Sequence, residues 1–203
     1  MLLLNALTDP LGFVAFCLAL LSGITVHECA HAYVADRLGD PTARNQGRVT
    51  LNPLAHLDPL GTVFLFFFGF GWGKPVPVNP QYFTRPALDE FLVAIAGPAS
   101  NLLLASLIAL VYRSGVIPIS DLATVGILMI QLNLFLMLFN LLPVPPLDGS
   151  KFLRAFLGEP IYRMLETSSF LLIILLLIAL RTTTLGDLLV SAVTRLTQFL
   201  IGG

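Results

Sequence analysis

The sequence predicts an all-α polytopic membrane protein of about four spanning helices, with a re-entrant or interfacial segment, short β-strands and an amphipathic C-terminal helix. Three observations carry that prediction. Of the 203 residues, 56% are hydrophobic and 11% charged, with a mean hydropathy of +0.87. A soluble domain carries about 25% charged residues, so this chain cannot clothe an aqueous surface. The apolar residues gather into runs at about 11–35, 88–112, 122–142 and 161–180, each near the ~20 residues that cross a bilayer as a helix. Fifteen Phe against one Trp and four Tyr suit a lipid-facing surface more than an interfacial aromatic belt.

Residues 11–35 read as a spanning helix that ends near Asp36, Arg37 and Gly39. Ala30-His31-Ala32 mimics a signal-peptide cleavage site, but no Lys or Arg precedes Arg37, so the basic region of a signal peptide is missing. The stretch 41–59 is polar and turn-rich, with a short strand expected at 48–51. The apolar stretch 60–71 has only twelve residues; at 1.5 Å per residue it reaches about 18 Å, short of the ~30 Å core, and reads as re-entrant or interfacial. Pro75, Pro77 and Pro80 forbid a helix over 73–80, which reads as an extended strand or a polyproline segment.

Spans at 88–112 and 122–142 follow, the second closed by Pro143, Pro145 and Pro146, each hostile to helix continuation. Residues 149–158 suit a short interfacial helix and 161–180 a last span. The tail 185–201 is amphipathic and reads either as a surface helix or as a short extra span. The whole of 1–203 reads as one membrane-embedded domain, with a core at about 11–155 and C-terminal helices over 161–201.

If 60–71 does not cross, Arg37, Arg44, Arg48, Lys74, Arg85, Lys151, Arg154 and Arg163 share one face, and Arg113 and Arg181 the other. The positive-inside rule then puts the richer face in the cytoplasm and the N-terminus outside, as expected for a multi-pass protein of the cell membrane. The net charge of −1 argues against nucleic acid as a partner. Cys17 and Cys29 lie in one apolar run and make no disulfide framework.

His27-Glu28-Cys29-Ala30-His31 is an H-E-x-x-H sequence on a predicted helix. Histidines four residues apart share a helix face, so both imidazoles can reach one tetrahedral zinc. Glu28 is then placed to take a proton from water that the metal has acidified. Chance placement of these residues is disfavoured, because a charged group near a membrane centre costs at least ~2.5–3.5 kcal/mol on insertion scales.

A catalytic zinc wants three protein ligands and an open position. His56, Asp58 and Asp148 are the candidates for the third. Asp148 follows a span that prolines must break, and irregular backbone inside a membrane protein lines cavities that hold ions; the alternative is an Asp-Gly turn. Asn101 and Asn140 suit interhelical hydrogen bonds of ~0.6–2 kcal/mol or a place beside the metal. His56 suits either a loop histidine bonded to nearby backbone or an accessory ligand or proton relay.

H-E-x-x-H in an early span, Gly97-Pro98-Ala99-Ser100-Asn101 in a middle one and N-x-x-P-x-P-x-L-D-G over 140–149 together resemble the site-2 protease family of intramembrane zinc metalloproteases. The similarity is closest to its short bacterial and archaeal members, and it extends to 47–62 and 71–80. The resemblance implies His27, His31 and Asp148 as ligands of one Zn2+ per chain, Glu28 as the catalytic residue and Asn140 near the site. It also implies membrane-protein substrates with a single transmembrane segment. The peptide-binding domain of longer members finds no counterpart in the sequence.

These readings converge on a zinc-dependent intramembrane endopeptidase, with a membrane metal transporter or sensor and an inactive scaffold as alternatives. Shared ligation by His31 and Asp148 requires an even number of crossings between position 35 and position 142, which 88–112 and 122–142 supply if 60–71 returns. The extended stretch at 73–80 suits either an edge strand, with Val76 and Val78 offering N–H groups to a substrate strand, or a rigid proline loop packed over the site.

Overall fold

The structure, a computed structural model, describes residues 8–68, 71–116 and 121–202. Among these the helices are α1 (Pro10–Arg37), α2 (Thr42–Asn45), α3 (Pro59–Phe68), α4 (Pro86–Arg113), α5 (Asp121–Asn140), α6 (Ser150–Leu157), α7 (Glu159–Thr167), α8 (Ser169–Thr182) and α9 (Thr184–Ile201). Short 3-10 turns stand at Pro53–Ala55 and Pro80–Tyr82.

Small residues at four-residue spacing build the centre. The buried positions of α1 include Ala15, Ala19, Gly23, His27, His31 and Ala35. Those of α4 include Val93, Gly97, Asn101, Ala105 and Ala109. Each set lies on one helix face, and lipid gives no hydrophobic drive to associate, so membrane helices use such small faces to bring backbones close. α5 packs on both. Its Ile130, Leu134 and Met137 join Ala105 and Ala109 in an apolar cluster closed by Val193 of α9. The start of α1 is set by Asp9, whose carboxylate accepts from the Gly12 N–H at 2.9 Å, with Pro10 in the first turn.

Four helices are long and apolar enough to cross a membrane: Pro10–Arg37, Pro86–Arg113, Leu122–Asn140 and Thr184–Ile201. The chain is a multi-pass integral membrane protein. The first three are the expected spans, and α6 is the expected short helix. Positions 69 and 70 of the expected re-entrant stretch lie outside the described residues. Its two ends nevertheless meet, through a bridge between Leu57 and Gly73 and a hydrogen bond from Lys74 N–H to His56 O of 2.8 Å. The segment that contains α3 therefore returns to where it began.

The stretch 161–180, expected as one span, is a pair of helices, α7 and α8, bent by 72°, which together form either a broken span or a re-entrant loop. Lys151 pairs with Glu166 and Arg154 with Glu159, which ties α7 to α6. By itself α8 has fourteen residues, about 21 Å at 1.5 Å per residue, so it needs α7 to cover the ~30 Å core. The fourth span-length helix is α9, the tail that sequence left open between a surface helix and a span. A side chain at Gly202 would lie 3.5 Å from Arg113, so α9 ends beside the end of α4. It begins toward the opposite end.

No strand forms among the described residues, against the short strand expected at 48–51; of the two readings of 73–80, the strand does not form. Pro75 and Pro77 remove alternate donors, so a two-stranded ladder cannot propagate. A side chain replaces it. The buried Arg48 guanidinium donates to Lys74 O and to Pro75 O, the latter at 2.9 Å. Asp40, fully buried, accepts from Asn79 N–H at 2.7 Å and pins the other end of the segment.

Candidate metal centre

The H-E-x-x-H turn lies on the buried face of α1, so His27 and His31 point one above the other toward α4. Both imidazoles are held from behind. His31 Nδ1 donates to Val93 O at 2.6 Å, and His27 Nδ1 lies 2.7 Å from Asn101 Oδ1. With those protons spent on α4, both Nε2 atoms carry lone pairs, and they sit 3.0 Å apart.

The third atom comes from the far end of the core. Past α5, the turn of 141–149 is closed by Gly149 N–H to Asn140 O at 2.7 Å and contains a cis peptide between Pro145 and Pro146. It delivers Asp148 Oδ2 to 3.1 Å from His27 Nε2 and 3.2 Å from His31 Nε2. Three electron-rich atoms this close repel one another unless a cation lies between them. A tetrahedral site with bonds of about 2.0 Å has ligand–ligand edges of about 3.3 Å, so the triangle fits zinc in size and in donor type.

Gly97 explains itself at this point. A Cβ there would stand 2.6 Å from His27 Nε2 and would also strike His31. Glycine is needed because the imidazole tips lie directly on the α4 backbone. The spacing of Gly97 and Asn101 thus serves one residue pair: the first makes room for the histidine tips and the second anchors His27.

Glu28 lines the same cavity, of about 720 Å³, as His27, His31, Asp148 and Asn140, and its carboxylate makes no hydrogen bond with any described residue. Asn140 gives one side-chain N–H to Leu136 O at 3.0 Å. Val76 and Val78 also line the cavity. Their backbone N–H and C=O groups bond to no described residue.

His56 and Asp58 stand apart from the cluster, which among the described residues consists of His27, His31 and Asp148. His56 Nε2 donates to Thr50 O at 2.8 Å, and Asp58 caps the first turn of α3 by accepting from Gly61 N–H at 2.7 Å. Of the two readings of His56, this geometry favours the loop histidine. Sequence reading passed over Arg48 and Asn133. Burial pulls the Arg48 guanidinium below its ordinary pKa, and the Glu28 carboxylate pulls it back up, which places Arg48 in the field of the cavity. Asn133 could have been found by the rule applied to the H-E-x-x-H residues: a polar side chain in the middle of a span needs a reason.

The model of "Peptidase family M50" matches residues 109–180. The chain is 47% identical over 155 residues to YwhC of Bacillus subtilis (strain 168), covering 71% of this chain and 70% of that one. The chain belongs to the M50 peptidase family. Rip2 of Mycolicibacterium smegmatis is 32% identical over 183 residues, covering 83% of this chain and 70% of the relative. Both relatives bear the name "Putative zinc metalloprotease". No solved structure matches the chain. As an M50, site-2 protease-like zinc metalloprotease, the protein carries a His-His-Asp cluster consistent with a zinc site, and its family implies membrane proteins as substrates.

Proposed function

We propose that this M50 metalloprotease is an endopeptidase that cuts the transmembrane segments of other proteins within the bilayer. In this reading His27, His31 and Asp148 hold one zinc per chain, and Glu28 is the general base. The observation that carries it is the His-His-Asp triangle opening, together with an unpartnered Glu28, into a large cavity between span-length helices. When bound, zinc supplies Lewis acidity that yields a nucleophile from water near neutral pH and polarises a carbonyl.

The chain's own residues do the rest. Glu28, free of other partners, accepts the proton of the attacking water and returns it to the leaving amine. Asn140 keeps a second side-chain N–H beyond its bond to Leu136 and offers it to the developing oxyanion. A transporter would spread its ligands along a path, whereas these converge on one point. An inactive scaffold has no need of the intact Glu28.

The test is incubation of purified protein with single-span membrane proteins. Cleavage within the span, abolished by a zinc chelator and restored by added zinc, is the expected outcome. Products cut only outside the span would remove the intramembrane assignment.

Substrate must arrive extended, because a helix ladder hides its carbonyls. Lys74 N–H is spent on His56 O, and Arg48 holds the carbonyls of Lys74 and Pro75. Val76 and Val78 line the cavity and their backbone groups bond to no described residue, which suits β-augmentation. Val78→Pro deletes a donor from that segment. It should lower cleavage of membrane substrates while zinc content and fold survive; wild-type cleavage by the folded variant would leave the segment as a packing loop.

Eight basic residues fall on one face by sequence, against Arg113 and Arg181 on the other, and we place the richer face in the cytoplasm. In intact cells an impermeant thiol reagent should label Val116→Cys but not Asn45→Cys, in a background lacking Cys17 and Cys29. The opposite pattern would invert the protein in the cell membrane.

A further inference from the structure

Asn133 lies near the middle of α5, fully buried and outside the set of residues that line the cavity. Its hydrogen bonds lead to the metal cluster. The side-chain N–H of Asn133 donates to Met129 O at 2.8 Å, and its Oδ1 accepts from Asn101 Nδ2 at 3.0 Å. Asn101 Nδ2 also donates to Gly23 O at 3.0 Å, and Asn101 Oδ1 faces His27 Nδ1 at 2.7 Å. Met129 O and Gly23 O are backbone carbonyls and can only accept.

That fact orients every group in the row. An amide's oxygen and nitrogen are assigned by their partners, not by shape. Met129 O fixes the nitrogen end of Asn133, which leaves its oxygen to Asn101. Gly23 O and Asn133 Oδ1 then take both N–H bonds of Asn101, so its oxygen must face His27. An oxygen there demands a proton on His27 Nδ1, and in a neutral imidazole the bare atom is then Nε2.

We propose that Asn133 is a positioning residue for the metal centre: acting through Asn101, it holds His27 in the Nδ1–H form with the Nε2 lone pair turned toward His31 and Asp148. This rests on the reading of His27 as a zinc ligand. Partners behind ligating histidines fix tautomer and ring orientation, and their loss costs 10–100-fold in metal affinity. Asn133 stands one residue further back, and Gly23 O still restrains Asn101 without it, so the low end of that range applies. Simple glue between α4 and α5 would instead change stability and leave metal binding alone.

The experiment compares Asn133→Leu and Asn133→Asp with wild type in detergent, reading zinc Kd by chelator competition. Leucine fills the site without an acceptor and should weaken zinc about 10-fold. A protonated aspartic acid keeps a carbonyl for Asn101 and an O–H for Met129 O, so it should bind zinc within about 2-fold of wild type. In the metal-free wild type, the 15N shifts of His27 should show the proton on Nδ1; this reading stands even if the leucine variant does not fold. An unchanged zinc Kd in folded Asn133→Leu, or a proton mainly on Nε2 in wild type, overturns the inference alone. A wild type that binds no zinc overturns the metal reading as well.

Discussion

Replacing Glu28 with glutamine is expected to lower cleavage by at least ~100-fold, the low end for loss of a general base, while zinc content stays at the wild-type level. The structure separates the two effects. Glu28 is not part of the His27, His31 and Asp148 triangle, so the metal donors are untouched. Glutamine matches glutamate in shape, and Glu28 holds no hydrogen bond to a described residue that the change would break. What is lost is the ability to accept a proton at the wall of the cavity. Metal content by elemental analysis, read beside cleavage of a single-span substrate, checks both halves. Near-wild-type cleavage would move the base elsewhere, and loss of zinc would make Glu28 a ligand.

Asp148→Ala is expected to abolish stoichiometric zinc binding, while His56→Ala leaves zinc content near wild type. Asp148 Oδ2 is the atom that closes the triangle, 3.1 and 3.2 Å from the two imidazole nitrogens. Without it two ligands remain, fewer than the three a catalytic zinc uses, and the loss should exceed the 10–100-fold that outer partners cost. His56 spends its Nε2 on Thr50 O; alanine there costs a buried hydrogen bond and loosens the loop without touching the donors. Zinc content of the two purified variants decides the order, and the reverse order would return His56 to the ligand set.

The helical membrane fold was legible because hydropathy over twenty residues reports the solvent a helix faces, and lipid is a uniform solvent. The His27 and His31 pair was legible because four-residue spacing places both on one face whatever that face meets. The bend inside the run at 161–180 was not legible, because hydropathy averages over Arg163 and Glu166 while the 72° turn between α7 and α8 depends on how each helix packs. The expected strands failed because backbone pattern alone cannot show that a guanidinium, from Arg48, takes the carbonyls of Lys74 and Pro75 in place of a neighbouring strand.

By itself the amino-acid order determined a multi-pass membrane protein, the zinc-type motif on α1, and the requirement that an even number of crossings separate it from a third ligand. Those properties depend on local period and composition, which the chain carries with it into any fold. Only the tertiary structure brought Asp148, and neither His56 nor Asp58, beside the two histidines, made α9 the fourth span-length helix, and gave Gly97 and Asn133 their reasons. Each of those outcomes depends on which faces of distant helices meet. A lone pair, a missing methyl or an amide orientation acquires meaning only from the atom placed opposite it.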